Sequence, residues 1–75
     1  MPQLFDVVSL THPLPDEGLR DGAEGTVVEV YGDHEGYEVE FTEGERTLAL
    51  LTLSPADLRV VHRHTPSRHA AAKTS

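Results

Sequence analysis

The side chains of this chain that could do chemistry are its five histidines and a group of closely spaced glutamates. His62 and His64 lie two residues apart, so on a strand both imidazoles would point to the same face, a spacing that occurs in metal sites. A third ligand would have to come from elsewhere in the chain. Isolated surface histidines are common, and this pair lies where the fold is expected to end. We therefore predict no cofactor and keep His62 and His64 as an alternative metal-binding pair.

The sequence contains no arrangement typical of an enzyme. Hydrolysis requires a nucleophile, a base and an orienting group on a rigid frame, and no recognised spacing connects the serines, threonines and histidines. Cysteine is absent, and the single lysine, Lys73, does not follow a glycine-rich phosphate loop. Asp33 and Glu35 could bind a hard cation, although an ordinary polar turn also accounts for them. We predict that the protein is not an enzyme.

Five glutamates form the most distinctive polar group in the sequence: Glu29, Glu38, Glu40, Glu43 and Glu45. If the strands that carry them pair as a hairpin, several of these carboxylates come within reach of one another. The group can be a solvated face that keeps a small domain soluble. It can also be a docking face for a basic partner, because complementary charge accelerates association and sets specificity. The second interpretation predicts a non-catalytic protein-interaction module, a partner or inhibitor of a basic protein by analogy with antitoxins and immunity proteins.

Charge is unevenly distributed along the 75 residues, which carry a net charge of −7. Residues 1–59 hold all 13 acidic side chains and three arginines, a net charge of −10, whereas residues 60–75 hold three basic side chains and no acidic ones. Because phosphate neutralisation supplies most nucleic-acid affinity, this distribution disfavours a nucleic-acid partner. No apolar run approaches the roughly 20 residues that cross a bilayer, and the N-terminus lacks the features of a signal peptide. We expect a cytoplasmic location and no membrane association.

Alternating and β-branched residues predict five short strands. These strands span residues 4–10, 26–31, 37–41, 47–53 and 58–61. Tyr37, Val39 and Phe41 alternate with glutamates and give the clearest pattern. In the second strand, strict alternation places Val28 in the core, and a bulge near Gly25 would shift that assignment. The predicted core consists of Phe5, Val7, Val28, Val30, Val39, Phe41, Leu50 and Leu58.

The loops and the chain end complete the predicted architecture. Two prolines exclude a helix from the long loop at residues 11–18, and Ser54 and Pro55 begin a helical turn directly before the last strand. Five short strands, a long early loop and that turn are typical of a small all-β SH3-like barrel, which we assign to residues 1–62. Residues 63–75 have no apolar period, and we predict a flexible, basic, histidine-containing tail that folding does not require.

Five segments of the chain carry a family resemblance. They read F-D-V-V-S-L-T, L-P-D-E-G-L, G-A-E-G-T-V-V-E-V, Y-E-V-E-F and T-L-A-L-L-T-L, and they start at residues 5, 14, 22, 37 and 47. Together they resemble a bacterial family of small proteins that share a domain of unknown function, which implies an SH3-like fold and no established activity. The expected fold is also similar to the small barrel of nitrile hydratase β chains, from which no catalytic residue carries over.

A second resemblance supplies the alternative function. Residues 22–28, G-A-E-G-T-V-V, are similar to the KOW motif of transcription and ribosomal proteins. That motif usually lies in a basic module, whereas this stretch is acidic. The resemblance implies a nucleic-acid or ribonucleoprotein-associated module as the alternative to a protein-interaction module.

Overall fold

Five antiparallel strands form one sheet in the computed structural model, which describes residues 1–65. The strands are β1 (Val7–Leu10), β2 (Glu24–Tyr31), β3 (Gly36–Glu43), β4 (Arg46–Leu53) and β5 (Leu58–His62). Their order across the sheet is β4-β3-β2-β1-β5, so the last strand pairs with the first. Within residues 1–65 the helical segments are two short 3₁₀ turns, Pro15–Glu17 and Pro55–Asp57. The predicted all-β fold with five strands and a helical turn before the last strand is confirmed.

The core lies on one face of the sheet and is built around β3. Tyr37, Val39 and Phe41 are at most 1% exposed, as their period-two alternation with glutamates predicts. The predicted core residues Val39, Phe41 and Leu58 are buried, and Val30 is half-buried against them. The complete buried cluster consists of Val8, Leu10, Leu19, Val27, Tyr37, Val39, Phe41 and Leu58.

The prediction of Val28 as a core residue is wrong. Val27 is fully buried, and Val28 is only half-buried. The cause is an irregularity of the β2–β3 pairing between Val27 and Glu29, where Val28 has no paired residue in β3. A bulge of this kind changes the face to which the following side chains point, so that Val30 returns to the core side and Glu29 lies opposite Glu38.

Three other predicted core residues lie outside the buried cluster. In β1 the phase is opposite to the prediction, because Val8 and Leu10 are fully buried and Val7 is half-buried. Leu50 is 54% exposed and Phe5 is 49% exposed. Phe5 also has a positive φ of 70°, a backbone conformation in which a bulky residue is strained. It belongs to a tight turn before β1 and not to the strand.

Gly25 brings β2 close to β3. Its φ is ordinary, but a Cβ atom at this position would lie 2.8 Å from Val39 Cγ1, 2.9 Å from the Glu40 carbonyl oxygen and 2.9 Å from Phe41 Cδ1. Any side chain would therefore push the two strands apart or displace the Phe41 ring. The glycine that precedes the T-V-V-E-V segment is required for this close approach.

The two ends of the described chain meet at Asp6. This carboxylate is 1% exposed and accepts hydrogen bonds from the backbone amides of Gln3 (2.9 Å) and His64 (2.8 Å). Arg63 Nη1 lies 3.1 Å from Asp6 Oδ2 and also donates to the Met1 carbonyl oxygen at 2.9 Å. Burial alone would raise the pKa of Asp6, but the His64 and Gln3 amides and the Arg63 guanidinium outweigh it and lower that pKa.

These contacts bear on the predicted tail. Arg63 and His64, its first two residues, contact the buried Asp6 carboxylate. The boundary at residue 62 stays a prediction. The predicted flexibility of residues 66–75 lies outside the described residues.

Phe41→Ala should leave the protein largely unfolded. Truncating a buried phenylalanine costs about 3–5 kcal/mol, which approaches the whole stability of a small domain. Phe5→Ala is the matched control, because it removes the same atoms from a half-exposed side chain, and it should cost about 1 kcal/mol. Thermal melts followed by circular dichroism measure both. Equal melting temperatures for the two variants would contradict the observed core.

A chain that ends at His62 should melt well below a chain that ends at Thr65. The shorter chain leaves the Asp6 carboxylate without Arg63 and the His64 amide, a loss of about 1–3 kcal/mol. For a domain of this size that corresponds to a decrease of roughly 5–20 °C. The chain that ends at Thr65 keeps both contacts and should melt within a few degrees of the full chain. Equal melting temperatures for the two truncated chains, measured by circular dichroism, would mean that these contacts contribute little to stability.

Candidate functional site

Three of the five predicted glutamates share the outer face of the sheet. Glu38 and Glu40 point away from the core because Tyr37, Val39 and Phe41 point into it. Through the irregularity in β2, Glu29 lies directly opposite Glu38. We call Glu29, Glu38 and Glu40 the acidic face.

Neutral hydroxyl groups hold two of these carboxylates. Thr52 Oγ1 donates to Glu38 Oε1 at 2.6 Å, and the Tyr31 hydroxyl donates to the same oxygen at 3.3 Å. Thr47 Oγ1 donates to Glu40 Oε2 at 2.9 Å. Partial burial raises the pKa of the Tyr31 phenol, and the nearby Glu38 and Glu29 carboxylates raise it further. The hydroxyl groups orient the carboxylates without neutralising their charge.

The acidic face carries uncompensated charge. Across residues 1–65 the ion pairs are His12 with Asp57 and Arg63 with Asp6, and neither involves a glutamate of this face. Like charges at directly opposed strand positions, as at Glu29 and Glu38, are destabilising. The fold therefore bears a small electrostatic cost that a positively charged partner would relieve.

Glu43 and Glu45 lie apart from the acidic face. Glu43 stands opposite Arg46 at the end of the β3–β4 hairpin, and Glu45 belongs to the tight turn between them. Glu43 also lines an open groove of about 500 Å³, together with Leu48 and residues 18–23 of the early loop. The five glutamates are thus divided into a group of three on the sheet and two at the hairpin end.

Two exposed apolar side chains border the acidic face, and neither was predicted from the sequence to belong to it. Tyr31 is 45% exposed and bonds Glu38, and Leu50 is 54% exposed and lies opposite Glu40. Leu50 could have been found from the period of β4, because it shares a face with Thr52 and not with the half-buried Leu51. The face therefore combines three carboxylates with an aromatic and an aliphatic side chain.

The two histidines of the predicted pair have different surroundings. His62 stands opposite Val7 in the β1–β5 pairing. The backbone amide of His64 donates to Asp6, and its ring lies edge-on to Phe5 with 5.6 Å between ring centroids. Over residues 1–65 no group of three His, Asp or Glu side chains is close enough to hold a metal ion. The described part of the chain thus provides no third ligand for the pair.

An ion pair that was not predicted from the sequence connects the early loop to the second 3₁₀ turn. His12 Nε2 lies 2.7 Å from Asp57 Oδ1, and Asp57 Oδ2 accepts from the amide and hydroxyl of Ser54 at 2.9 Å each. The hydrogen bonds to Asp57 and to the Pro13 carbonyl raise the pKa of His12. The hydrogen bonds from His12 and Ser54 lower the pKa of Asp57. This pair holds the loop in place and lies outside the acidic face.

The raised pKa of His12 and the lowered pKa of Asp57 define the pH range in which this ion pair stabilises the fold. Because the pKa of His12 is raised above its ordinary 6.5, its contribution is complete below that value and is lost as pH rises through the raised pKa. Because the pKa of Asp57 is lowered below its ordinary 3.8, its contribution is present above that value and is lost as pH falls through the lowered pKa. The ion pair is therefore complete at mildly acidic pH.

Comparison with known proteins assigns the chain to a family. The sequence pattern of the family described as Domain of unknown function (DUF4926) matches residues 4–60, and the chain belongs to this family. No curated protein and no solved structure matches the chain. The predicted membership of a domain-of-unknown-function family is confirmed.

His12→Ala should lower the melting temperature more at pH 5.5 than at pH 9. At the lower pH the variant loses a charged partner of Asp57, whereas at the higher pH the wild-type histidine is already neutral. Pro13→Ala, at the neighbouring exposed position, changes no titratable group, so it is the control and should show no such difference between the two pH values. Thermal melts in buffers of equal ionic strength measure the effect. A pH-independent decrease for His12→Ala would contradict an ionic contribution of this pair.

Proposed function

We propose that this chain, as a member of the DUF4926 family, is a non-catalytic protein-interaction module whose acidic face binds a basic surface of another protein. The observation that carries the proposal is the composition of that face. Its three carboxylates have no cationic partner within residues 1–65 and lie beside the exposed Tyr31 and Leu50. A solvated face that serves only solubility does not require exposed apolar side chains among its charges.

The mixture of groups is suited to a protein partner. Interfaces place aromatic or aliphatic anchors within a polar rim, and tyrosine is among the residues that contribute most to binding. Tyr31 and Leu50 would supply the apolar contacts, and the carboxylates would steer a basic surface toward them. The hydroxyl groups of Thr47 and Thr52, which orient Glu40 and Glu38 before binding, would reduce the entropy that binding costs.

The proposed partner is a basic protein that the module restrains or escorts, and the proposed location is the cytoplasm of a bacterium. Across the described residues, no helix has the length and apolar character needed to span a membrane. The net charge of −10 over residues 1–59 opposes the KOW-like alternative, because binding to a phosphate backbone depends on basic side chains.

Charge reversal of the acidic face should weaken binding of the partner. The experiment captures proteins from the native host on the immobilised chain, identifies a basic candidate by mass spectrometry, and measures its affinity with purified proteins. Replacing Glu29, Glu38 and Glu40 by lysine should lower that affinity roughly 10- to 100-fold, since each lost exposed pair contributes about 0.2–1 kcal/mol and the new charges repel.

A matched control separates a local site from an effect of net charge. Replacing Asp16, Glu17 and Asp33 by lysine changes the net charge by the same amount, at exposed positions in the first 3₁₀ turn and the β2–β3 loop. This control should keep most of the affinity at physiological salt, where charges more than about 8 Å apart are screened. Equal losses in both variants would contradict a localised docking face. Recovery of nucleic acid that binds the purified chain at physiological salt would favour the KOW-like alternative.

A further inference from the structure

One edge of the sheet is open next to the acidic face. Within residues 1–65, β4 pairs with β3 only. Among the described residues, no backbone hydrogen bond joins β4 to a loop, a turn or another strand besides β3. The backbone N–H and C=O groups on its outer side are therefore available to a further strand.

Apart from one irregularity near Leu48, the open edge lacks the features that usually prevent strand addition. β4 is eight residues long, contains no proline or lysine, and carries its single charge at Arg46, its first residue. Sheets usually protect an edge with charges, prolines or short strands. The opposite edge follows that rule, because β5 has five residues and includes Arg59 and His62.

Only part of β4 has the regular pairing that another strand requires. The β3–β4 pairing shifts between Phe41 and Thr42, near Leu48, and is continuous from Ala49 to Leu53. A bulge twists an edge locally and disfavours addition there. The available segment is therefore the second half of the strand, residues 49–53.

The two faces of that segment differ in chemistry. Leu50 and Thr52 stand opposite Glu40 and Glu38, so they share the outer side of the sheet with the acidic face. Ala49, Leu51 and Leu53 pack against the core from the other side. A strand added beside residues 49–53 would place alternate side chains next to carboxylates on one side and next to an apolar border on the other.

The geometry selects the side chains of such a strand. Neighbouring strands are about 4.8 Å apart, so an added strand lies roughly 10 Å from β3. A lysine or arginine can cross this gap, because its aliphatic part packs on apolar surface while its charged end reaches outward. Its stem would pack on Leu50, and its charge would approach Glu40. The alternate residues of the added strand, whose side chains point to the opposite face of the sheet, would be apolar and would cover Leu51.

We infer that residues 49–53 of β4 accept an extended segment of a partner, with alternating basic and apolar residues, as a sixth strand of the sheet. The inference rests on the proposed function, because the basic partner supplies the segment. Main-chain hydrogen bonds provide the affinity in this mode of recognition, and alternate side chains provide the specificity. The acidic face selects the partner by charge, and the edge selects its conformation.

The test uses the full chain and a short synthetic peptide that alternates lysine and valine, blocked at both ends. We expect amide hydrogen exchange, followed by NMR, to slow at alternate residues of the segment 49–53 when the peptide is added. A second peptide of equal charge, with proline in place of the central valines, cannot form the ladder. It should bind about 10-fold more weakly or worse.

Two single variants locate the contact. Leu50→Lys puts a repelling charge beside the acidic face at the open edge and should weaken binding of the lysine–valine peptide about 10-fold. Leu48→Lys is the matched control, since Leu48 is also exposed but lies outside the regular segment and lines the groove near Glu43. It should change the affinity less than about 3-fold. Equal losses in the two variants would overturn the assigned segment.

The remaining outcomes distinguish this inference from the proposed function. Equal binding of both peptides, with unchanged exchange in β4, would overturn strand addition and leave the acidic face as a docking surface. Slowed exchange with an affinity that does not respond to lysine at positions 29, 38 and 40 would support strand addition and contradict the role of the carboxylates. Protection of the β4 amides in the free chain, by a second copy or by its own C-terminal residues, would overturn the inference. Absence of binding by either peptide at low salt would also overturn the inference.

Discussion

The close approach of Gly25 to β3 is the constraint on which the rest of the structure depends. A Cβ atom at Gly25 would lie 2.9 Å from the Phe41 ring, so the absence of a side chain lets β2 pair with β3 while Phe41 fills the core. Once this pairing is set, Val27 must point inward beside Val39. The irregularity that follows then brings Glu29 opposite Glu38. The core and the acidic face are therefore two consequences of one strand pairing.

The sheet is completed by contacts between distant parts of the chain. β5 returns to pair with β1, and the buried Asp6 carboxylate connects the turn before β1 to the residues after β5. A second contact between distant residues, the His12–Asp57 ion pair, joins the early loop to the second 3₁₀ turn. Domains of this size bury a smaller share of their surface than larger domains do, so a few such polar contacts form a substantial fraction of the net stability.

The acidic face and the open edge of β4 form one continuous surface. Thr52 and Leu50 belong to β4, and both border the carboxylates of β3. In the described part of the chain, this surface offers charge, apolar contact and backbone groups without a partner strand within the width of two strands. A partner that uses all three must be both basic and extended, a combination more selective than charge alone.

Local patterns in the sequence were sufficient for the features that depend on near neighbours. The alternation of Tyr37, Val39 and Phe41 with glutamates established β3 and its buried side, because side chains of a strand alternate with period two. The helical turn before β5 was readable from Ser54 and Pro55, whose effects act within a few residues. The sequence also grouped Glu29, Glu38 and Glu40 by their charge and spacing, but it included Glu43 and Glu45, which the structure places at the hairpin end.

The features that depend on contacts between distant residues appear only in the folded sheet. Val27 replaces Val28 in the core because the β2–β3 pairing is irregular between Val27 and Glu29, and the local pattern, which allowed a bulge near Gly25, does not locate it. Leu50 is exposed since its side of β4 faces Glu40 and has no covering layer among the described residues. Asp6 is buried because Arg63, 57 residues away in sequence, and the next amide satisfy its charge. A sequence reports which side chains are neighbours along the chain, whereas burial, register and charge pairing depend on which strands meet in space.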